Sequence, residues 1–398
     1  MPDSTDYARR VLFISSHGVV PDRDSGARRH FHLLSFLQEA GWVIHVLAAD
    51  GLERATDSRR LERLGITVHD GAHEWFEDVL DDARPDLVVA AFWRNAERYL
   101  PTIRALRPDV RMIVDSVDLH FLRLARNAFG VPSKSWLGLG SEAAADYARE
   151  LRAYAGSDGV LTVSEKEADM VGDLLWARDL AHVVPDFEDL EPSPVRFQDR
   201  RGMVFLGSFQ HLPNVEAAVY LLTEIVPRID KRVLDDHPLY VVGNELPEDL
   251  RRLKSIHPGI KMVGWVPDVV PYLASSRISV VPLLHGAGTK RKLLQALALG
   301  TPTVSTSVGV ESFALTHEES VLIADEPASF AAAVERLLTD QKLWGHLRAA
   351  GLRLAAHANS RPDVHRAFMT AIDTVMARTP RQIVPIGIGL PHASPGPT

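Results

Sequence analysis

The segment Val280-Val-Pro-Leu-Leu-His-Gly-Ala-Gly-Thr-Lys-Arg-Lys-Leu-Leu-Gln-Ala-Leu-Ala-Leu-Gly-Thr-Pro-Thr-Val304 carries the strongest structural pattern of the 398-residue chain. An apolar run, Ile278 to Leu284, predicts a strand that stops at a glycine-rich turn, Gly286-Ala-Gly288. A helical pattern follows the turn, with its leucines on one face, and Gly300 and Pro302 end it. The segment therefore predicts a strand, a turn and a helix in direct succession.

The first turn of this helix carries three cations, Lys290, Arg291 and Lys292. A helix N-terminus bears about half a positive charge, so each cation there costs a few tenths to ~1 kcal/mol. An anion in front of the helix would remove that cost. Free amides from Gly286 to Thr289, the helix dipole and the cations together predict a phosphate or diphosphate site. The alternative, a solvated basic helix end, leaves the glycines and the unfavourable dipole unexplained.

Composition restricts the class of protein. A length of 398 residues predicts two domains or three, and 46% hydrophobic residues are typical of a globular chain. A net charge of −8 argues against nucleic acid as a partner, and the absence of cysteine excludes disulfides and thiolate chemistry. Met1 to Arg10 lacks the apolar core of a signal peptide, and no apolar run approaches the ~20 residues that span a bilayer. These features predict a cytoplasmic protein, with peripheral membrane contact left open.

The N-terminal half alternates strands and helices. A strand, Arg10 to Ser16, is followed by a helix from about Ala27 to Ala40 and a second strand, Trp42 to Ala48. Further strands are predicted at Ile66–Val68, Leu87–Ala91, Met112–Asp115 and Val160–Val163. Nearly continuous apolar runs of this kind are typical of parallel strands covered on both faces. We expect a doubly wound α/β domain over residues 1–183.

A second domain follows an acidic, proline-rich linker at 184–201. It is expected over 202–358. Its strands are predicted at Met203–Leu206, Leu239–Val242, Ile260–Val263, Ile278–Leu284, Thr303–Thr306 and Ser320–Ile323, and its helices at about Ala217–Val226, Glu248–Ile256 and Pro327–Leu338. A C-terminal helix at 359–378 is expected to pack back on the first domain, and 379–398 to form a flexible tail. The fold class is therefore α/β, with two Rossmann-like domains facing a cleft.

The glycine turn and its helix, continued to Gly309-Val-Glu-Ser312, resemble the nucleotide-sugar motif of family 4 (group 1) glycosyltransferases, which have the GT-B fold. Supporting resemblances lie at Phe205–Asn214, Tyr240–Gly243, Val263–Asp268 and Asp115–His120. The resemblance covers most of the chain, weakly over 51–83 and not over the tail. It implies transfer of a sugar from a nucleoside-diphosphate sugar to an acceptor hydroxyl.

The resemblance assigns roles around the turn. Lys292 would hold the donor diphosphate, together with the amides of Gly288 and Thr289, and Lys290 or Arg291 would supply a second cation. Gln295 stands where most members have a glutamate that binds the ribose. A second glutamate, which many members have eight residues earlier, is replaced by Ala287. The chain therefore resembles members with a G-x-G-x-K-x-K form of the motif.

Other donor-side positions follow from the same resemblance. Gly207 and Gly243 end the strands that carry donor loops, and Val266 flanks the base site. Glu311 would contact the nucleotide or sugar, with helix capping as the alternative. The Arg/Lys pair of many relatives is missing, and Ser208, His211 and Asn214 lie there instead. For His211, fixing the loop is as good an interpretation as contacting the ligand.

In the first domain the resemblance implies that His120 contacts the donor sugar or the leaving phosphate and that Asp118 orients its ring. A buried structural histidine is the alternative. In the loop Asp24-Ser-Gly-Ala-Arg-Arg29, Gly26 would let the backbone approach the donor phosphate. Arg28 or Arg29 would bind phosphate or an anionic acceptor, or form a solvated basic turn.

The resemblance implies a retaining reaction, in cell-surface glycan or other glycoconjugate biosynthesis. No metal-ligand spacing is evident in the sequence, so metal-independent chemistry without a tightly bound cofactor is predicted. The acceptor is left open between a glycan, a lipid-linked oligosaccharide and a small molecule. Two other functions also stay open. One is a nucleotide-sugar 2-epimerase, and the other is a non-catalytic subunit of the same fold.

Overall fold

The first domain is a seven-stranded parallel sheet with helices on both faces. The computed structural model describes residues 8–21, 24–52, 56–129 and 141–381. The strands are β1 (Arg10–Ser15), β2 (Val43–Ala48), β3 (Thr67–Asp70), β4 (Leu87–Ala91), β5 (Arg111–Asp115), β6 (Gly159–Thr162) and β7 (Ala181–Val183), in the sheet order β3-β2-β1-β4-β5-β6-β7. The helices are α1 (Ser25–Glu39), α2 (Thr56–Glu62), α3 (Phe76–Ala83), α4 (Trp93–Leu106), α5 (His120–Phe129), α6 (Ser141–Gly156) and α7 (Glu165–Leu175).

The second domain is a six-stranded parallel sheet. Its strands are β8 (Met203–Leu206), β9 (Leu239–Val242), β10 (Ile260–Gly264), β11 (Ile278–Val281), β12 (Thr303–Ser305) and β13 (Leu322–Ile323), in the order β10-β9-β8-β11-β12-β13. Its helices are α8 (Leu212–Tyr220), α9 (Lys231–Asp236), α10 (Glu248–Arg252), α11 (Val270–Ser275), α12 (Arg291–Ala298), α13 (Ser307–Val310), α14 (Pro327–Thr339) and α15 (Gln341–His357), and α16 (Arg361–Met376) ends the described chain. α8 continues as a π-helical turn, Leu221–Ile225, and a 3₁₀ turn, Val226–Arg228.

The central strands are covered on both faces, as their apolar runs predict. All five residues of β4 and all four of β8 and β11 are buried. Both sheets are doubly wound, so the predicted α/β class with two Rossmann-like domains is confirmed. Loops at the carboxyl ends of the strands carry the residues considered below.

Several element boundaries differ from the sequence expectations. β11 ends at Val281 and not at Leu284, because Pro282 has no N–H for the ladder. α8 begins at Leu212, five residues before the predicted start, with a proline in its first turn. The expected tail at 379–398 lies outside the described residues from position 382 onward.

The C-terminal helix α16 lies against the first domain. It contacts α1 and the strands β5, β6 and β7, and its buried face includes Phe368 and Ile372. Ser360 caps the helix by accepting a hydrogen bond from the amide of Asp363. The chain therefore crosses from the second domain back to the first. None of the helices in the described ranges is long and apolar enough to cross a bilayer.

Candidate donor site

The glycine turn before α12 is held by contacts with both domains. Gly288 has a left-handed φ of +66°, and a Cβ there would lie 2.8 Å from the Cβ of Asp118 in the first domain. Only glycine tolerates both constraints. The carbonyl of Gly288 accepts hydrogen bonds from Ser312 Oγ at 2.6 Å and from Lys290 Nζ at 3.0 Å. The two domains thus meet at the turn.

The three cations at the start of α12 have different partners. Lys290 is the N-cap residue, is buried, and forms an ion pair with Glu311 at 2.9 Å. Arg291 forms an ion pair with Glu188 of the linker. Two of the three charges are therefore neutralised within the chain. Lys290 and Arg291 attract an anionic ligand less strongly than the sequence suggested.

Lys292 differs from both neighbours. Its Nζ donates to Oδ1 of Asn214 at 2.6 Å and lies 4.9 Å from the ring centre of Phe205. No ion pair with a carboxylate is found for it within the described part of the chain. Burial and the positive charge of Lys290 lower the pKa of Lys292 to about 7. A half-buried cation without a counter-ion at a helix N-terminus is suited to binding an anionic ligand.

Asn214 fixes the end of the Lys292 side chain. Its Nδ2 donates to the carbonyl of Ser208 at 2.8 Å, so its Oδ1 faces the ammonium group. His211, the N-cap residue of α8, is exposed, and its carbonyl accepts from the amide of Asn214 at 3.0 Å. The backbone of His211 therefore shapes this loop, and its imidazole is not directed at Lys292 by any contact in the described residues.

Glu311 is the centre of a charge cluster between the domains. It accepts hydrogen bonds from Arg126 and, at 2.8 Å, from Lys166, both in the first domain, in addition to Lys290. Burial alone would raise the pKa of Glu311, but Arg126 and the two lysines lower it to about 2. The cluster joins the domains beside the glycine turn. Glu311 is the C-cap residue of α13, and its contact with the nucleotide or sugar stays a prediction.

The amide of Gly288 is already engaged. It donates to Oε1 of Glu167 in α7 at 3.0 Å, and Glu167 is 3% exposed. Burial raises the pKa of Glu167 to about 7, against the lowering effect of the Gly288 amide. This contact was not expected from the sequence.

His120 lies at the first turn of α5 with both ring nitrogens engaged. Trp93 Nε1 donates to His120 Nδ1 at 3.1 Å, which places the ring proton on Nε2, 3.2 Å from Oδ1 of Asp118. Burial would raise the pKa of Asp118, but the hydrogen bond with His120 and the charge of Arg123 lower it. The carboxylate of Glu150 accepts from the amides of His120 and Phe121 and so caps α5. The pair of Asp118 and His120 is therefore firmly oriented.

The predicted residues of the loop before α1 lie in two different environments. Gly26 is close to the cleft, since a Cβ there would lie 3.7 Å from Val117, next to Asp118. Arg28 is half-buried in the same turn. Arg29, by contrast, is buried and bound to Asp115 at 3.0 Å and to Asp186 at 2.9 Å. Arg29 is a structural cation that ties α1 to β5 and the linker, and the alternative role for it in anion binding is wrong.

The remaining donor-side positions follow the carboxyl ends of β8, β9, β10 and β11. Gly207 follows β8, and a Cβ at Gly243 would lie 1.6 Å from its carbonyl, so the two loops pass in direct backbone contact. Val266 is half-buried. Gln295 is 8% exposed on α12, and Thr289 is half-buried in the turn. These residues converge on the same end of the sheet as Lys292.

A group with metal-like spacing lies elsewhere, at the edge of the first sheet. His45 Nδ1 and His69 Nε2 are 3.0 Å apart, and Oδ2 of Asp82 lies 3.6 and 3.7 Å from them. The imidazoles already hydrogen-bond each other, and their outer nitrogens face Arg10 and Glu74. We interpret the group as a hydrogen-bonded chain. The absence of a metal from the chemistry stays a prediction.

Comparison with known proteins shows what the chain is similar to. Residues 200–340 match the family model described as glycosyl transferases group 1. These residues form a group 1 glycosyltransferase domain. Over 93% of the chain, the structure superposes on sucrose-phosphate synthase from Thermosynechococcus elongatus, covering 99% of that chain, with a TM-score of 0.69 at 15% identity. The two-domain architecture of the chain is thus the GT-B fold.

Two further relatives add detail. HepE of Anabaena, solved in complex with UDP, has a TM-score of 0.67 at 12% identity, over 92% of this chain and 100% of that one. A lipopolysaccharide core biosynthesis glycosyltransferase, LpsD of Rhizobium meliloti (strain 1021), is 22% identical over 372 residues, which are 89% of this chain and 97% of the relative. The likeness to LpsD therefore runs through both domains of the chain.

Sequence reasoning missed three first-domain residues of the site. Arg126 and Glu167 bind the glycine turn and Lys166 binds Glu311, and nothing local in the sequence links them to it. One signal was available. Lys166 and Glu167 lie in the first turn of α7, the helix that follows β6, at the carboxyl end where ligand loops of a doubly wound sheet lie.

Proposed function

We propose that this glycosyltransferase moves a sugar from a nucleoside-diphosphate sugar to an acceptor hydroxyl and that Lys292 holds the donor diphosphate. The observation that carries the proposal is the charge balance at α12. Three cations start the helix and two have carboxylate partners. The third, Lys292, is half-buried and binds an amide oxygen. A diphosphate would supply the missing counter-charge and occupy the helix N-terminus.

The same residues suit the leaving group of the reaction. Negative charge develops on the diphosphate as the glycosidic bond to it breaks, and a preorganised cation and helix dipole stabilise that charge. The oriented pair of Asp118 and His120 lies at the turn from the other domain and would contact the donor sugar. Gly26, Arg28, Gly207, Gly243, Val266 and Gln295 would complete the donor site. We further propose that the reaction retains the anomeric configuration and needs no metal.

UDP-sugars are the first donors to test, because the HepE structures contain UDP and UDP-glucose. The name of LpsD supports a role in the assembly of a cell-surface glycan, and truncated lipopolysaccharide cores are therefore the first acceptors. We place the protein in the cytoplasm, in peripheral contact with the membrane where a lipid-linked acceptor would be presented.

The test is a transfer assay with a panel of UDP-, GDP- and ADP-sugars, with and without acceptor and with EDTA. We expect nucleoside diphosphate release that depends on acceptor and resists EDTA, and NMR of the product showing the donor's anomeric configuration. A new nucleotide sugar formed without acceptor would instead show an epimerase. Nucleotide binding without turnover on any acceptor would show a non-catalytic subunit.

A further inference from the structure

A carboxylate from the first domain occupies the turn at which a donor phosphate is expected. Oε1 of Glu167 accepts the amide hydrogen of Gly288 at 3.0 Å. Oε2 of Glu167 is buried and has no hydrogen-bond partner among the described residues. Burying a carboxylate oxygen without a partner is unfavourable. The structure thus keeps a partly satisfied anion at the amide predicted to bind another anion.

The two anions exclude each other at this amide. Gly288 has one N–H, and the neighbouring cation Lys290 is already paired with Glu311. The ammonium of Lys292 donates to Asn214, and no contact between it and Glu167 is found in the described part of the chain. A donor phosphate at Gly288 therefore requires Glu167 to lose its charge or move away.

We propose that Glu167 is a positioning residue that competes with the donor diphosphate for the amide of Gly288 and thereby sets donor affinity. The inference rests on the proposed function and adds to it a residue of the opposite domain. It also gives donor affinity a defined dependence on pH, since only the neutral form of Glu167 yields the amide without charge repulsion.

The charged groups around Glu167 give the direction of that dependence. Burial raises the pKa of Glu167 to about 7, and the nearby carboxylate of Asp118 acts in the same direction. The amide of Gly288 and the charge of Lys290 act against it. Tyr154 of α6 also lies within electrostatic range, with its own pKa raised well above the usual value, so it stays neutral. Acid therefore favours donor binding at this position, and base opposes it.

The expected size follows from the fraction of protein with neutral Glu167. With a pKa of about 7, roughly one molecule in eleven is neutral at pH 8 and about nine in ten at pH 6, and apparent affinity scales with that fraction. Replacing Glu167 by Gln removes the charge at nearly constant shape. The variant should therefore bind nucleoside diphosphate about tenfold more tightly than the wild type at pH 8 and about equally at pH 6.

The experiment is calorimetric titration of the full chain with UDP, with ADP and GDP in parallel, at pH 6 and pH 8. The proteins are the wild type, Glu167→Gln and Glu165→Gln. Glu165 is two residues away on the same helix and exposed, so it is the matched control. Protonation of Lys292 and of the ligand phosphate affects all three proteins alike and cancels in the ratio of Kd values. Glu167→Ala, tested the same way, must give the same pH-dependent ratio as Glu167→Gln.

The expected result is a wild-type to Glu167→Gln ratio of Kd values near 1 at pH 6 and near 10 at pH 8, with Glu165→Gln at 1 throughout. A ratio that is the same at both pH values, or weaker binding by Glu167→Gln, overturns the inference alone. If no nucleoside diphosphate binds to any of the proteins, the proposed function fails and the inference fails with it.

Discussion

At the scale of single residues, the ammonium group of Lys292 opposes stability in the empty protein. Its pKa of about 7 lies below the ordinary lysine value of 10.5, because burial and Lys290 disfavour the charge. A lysine with a lowered folded-state pKa costs stability fully below that pKa, and the cost disappears as pH rises through 10.5. The charged form of Lys292, the residue proposed to bind the donor, therefore destabilises the folded protein when no ligand is bound.

Lys292→Met should raise the melting temperature of the ligand-free protein at pH 6 and reduce transfer by orders of magnitude. About 2–4 °C corresponds to 1 kcal/mol for domains of this size. Lys342→Met is the control, because Lys342 occupies the same second position of α15 and is exposed. Thermal melts and initial rates measure both effects. A lower melting temperature for Lys292→Met would show that the lysine stabilises the fold.

Asn214→Asp should weaken donor binding and stabilise the empty protein. Oδ1 of Asn214 accepts a hydrogen bond from Lys292 at 2.6 Å, and the substitution makes this oxygen part of a carboxylate. An internal ion pair would then occupy the position proposed for the donor phosphate. We expect at least about a tenfold loss of nucleoside diphosphate affinity, or roughly 1.4 kcal/mol. Asn214→Leu, which adds no charge, is the comparison and should lose less. Calorimetry that shows unchanged affinity in Asn214→Asp would remove Lys292 from the binding site.

These residues also show which parts of the site can be predicted from the sequence. Lys292 and Gly288 belong to one continuous segment whose chemistry is local, so the pattern indicated both. Glu167 and Arg126 contact that segment only because the two domains pack together. No spacing in the sequence indicates this proximity. Arg29 was misleading, because a basic helix start gives no sign that Asp115 and Asp186 lie within reach.

At the scale of elements, long apolar runs predicted the central strands well. β4 coincides with its predicted range, since each of its residues is buried. Local patterns did not predict several other elements, among them β7 and α15. β7 has only three residues, all half-buried, and α15 buries only Trp344, Leu347 and Gly351 along 17 residues. Tertiary contacts form these elements, and local periodicity does not mark them.

The helix α16 gives a prediction at this scale. Phe368 is fully buried against the first domain, so Phe368→Ala should cost about 3–5 kcal/mol of unfolding free energy. Thr370→Ala, on the exposed side of the same helix, should cost less than about 0.5 kcal/mol. Denaturant unfolding measures both variants. Equal stabilities would mean that α16 is not part of the first domain's core.

At the scale of the whole molecule, the cluster around Glu311 joins the two domains without a ligand. Its carboxylate pKa of about 2 lies below the ordinary 4.5, so the cluster adds stability above pH 4.5 and loses it as pH falls through about 2. Arg126 and Lys166 come from one domain, and Lys290 and Glu311 from the other. Any separation of the two domains must break these contacts.

Glu311→Gln should therefore open the empty protein at neutral pH. Removing the charge leaves Lys290 buried without its partner, a change that costs roughly 3–5 kcal/mol in buried pairs. Small-angle scattering should report a larger radius of gyration for Glu311→Gln than for the wild type. The control is Glu318→Gln, which breaks an exposed pair with Arg336 within the second domain. An unchanged radius would show that other contacts hold the domains together.

The claim on which the account depends is that Lys292 binds a diphosphate, and calorimetry of UDP, ADP and GDP with the wild type and Lys292→Ala tests it most directly. At least one nucleoside diphosphate should bind the wild type. Lys292→Ala should weaken that binding about 100-fold, or roughly 2.7 kcal/mol, and Lys342→Ala should bind with the wild-type affinity. Equal affinity of the wild type and Lys292→Ala for the bound nucleotide would contradict it.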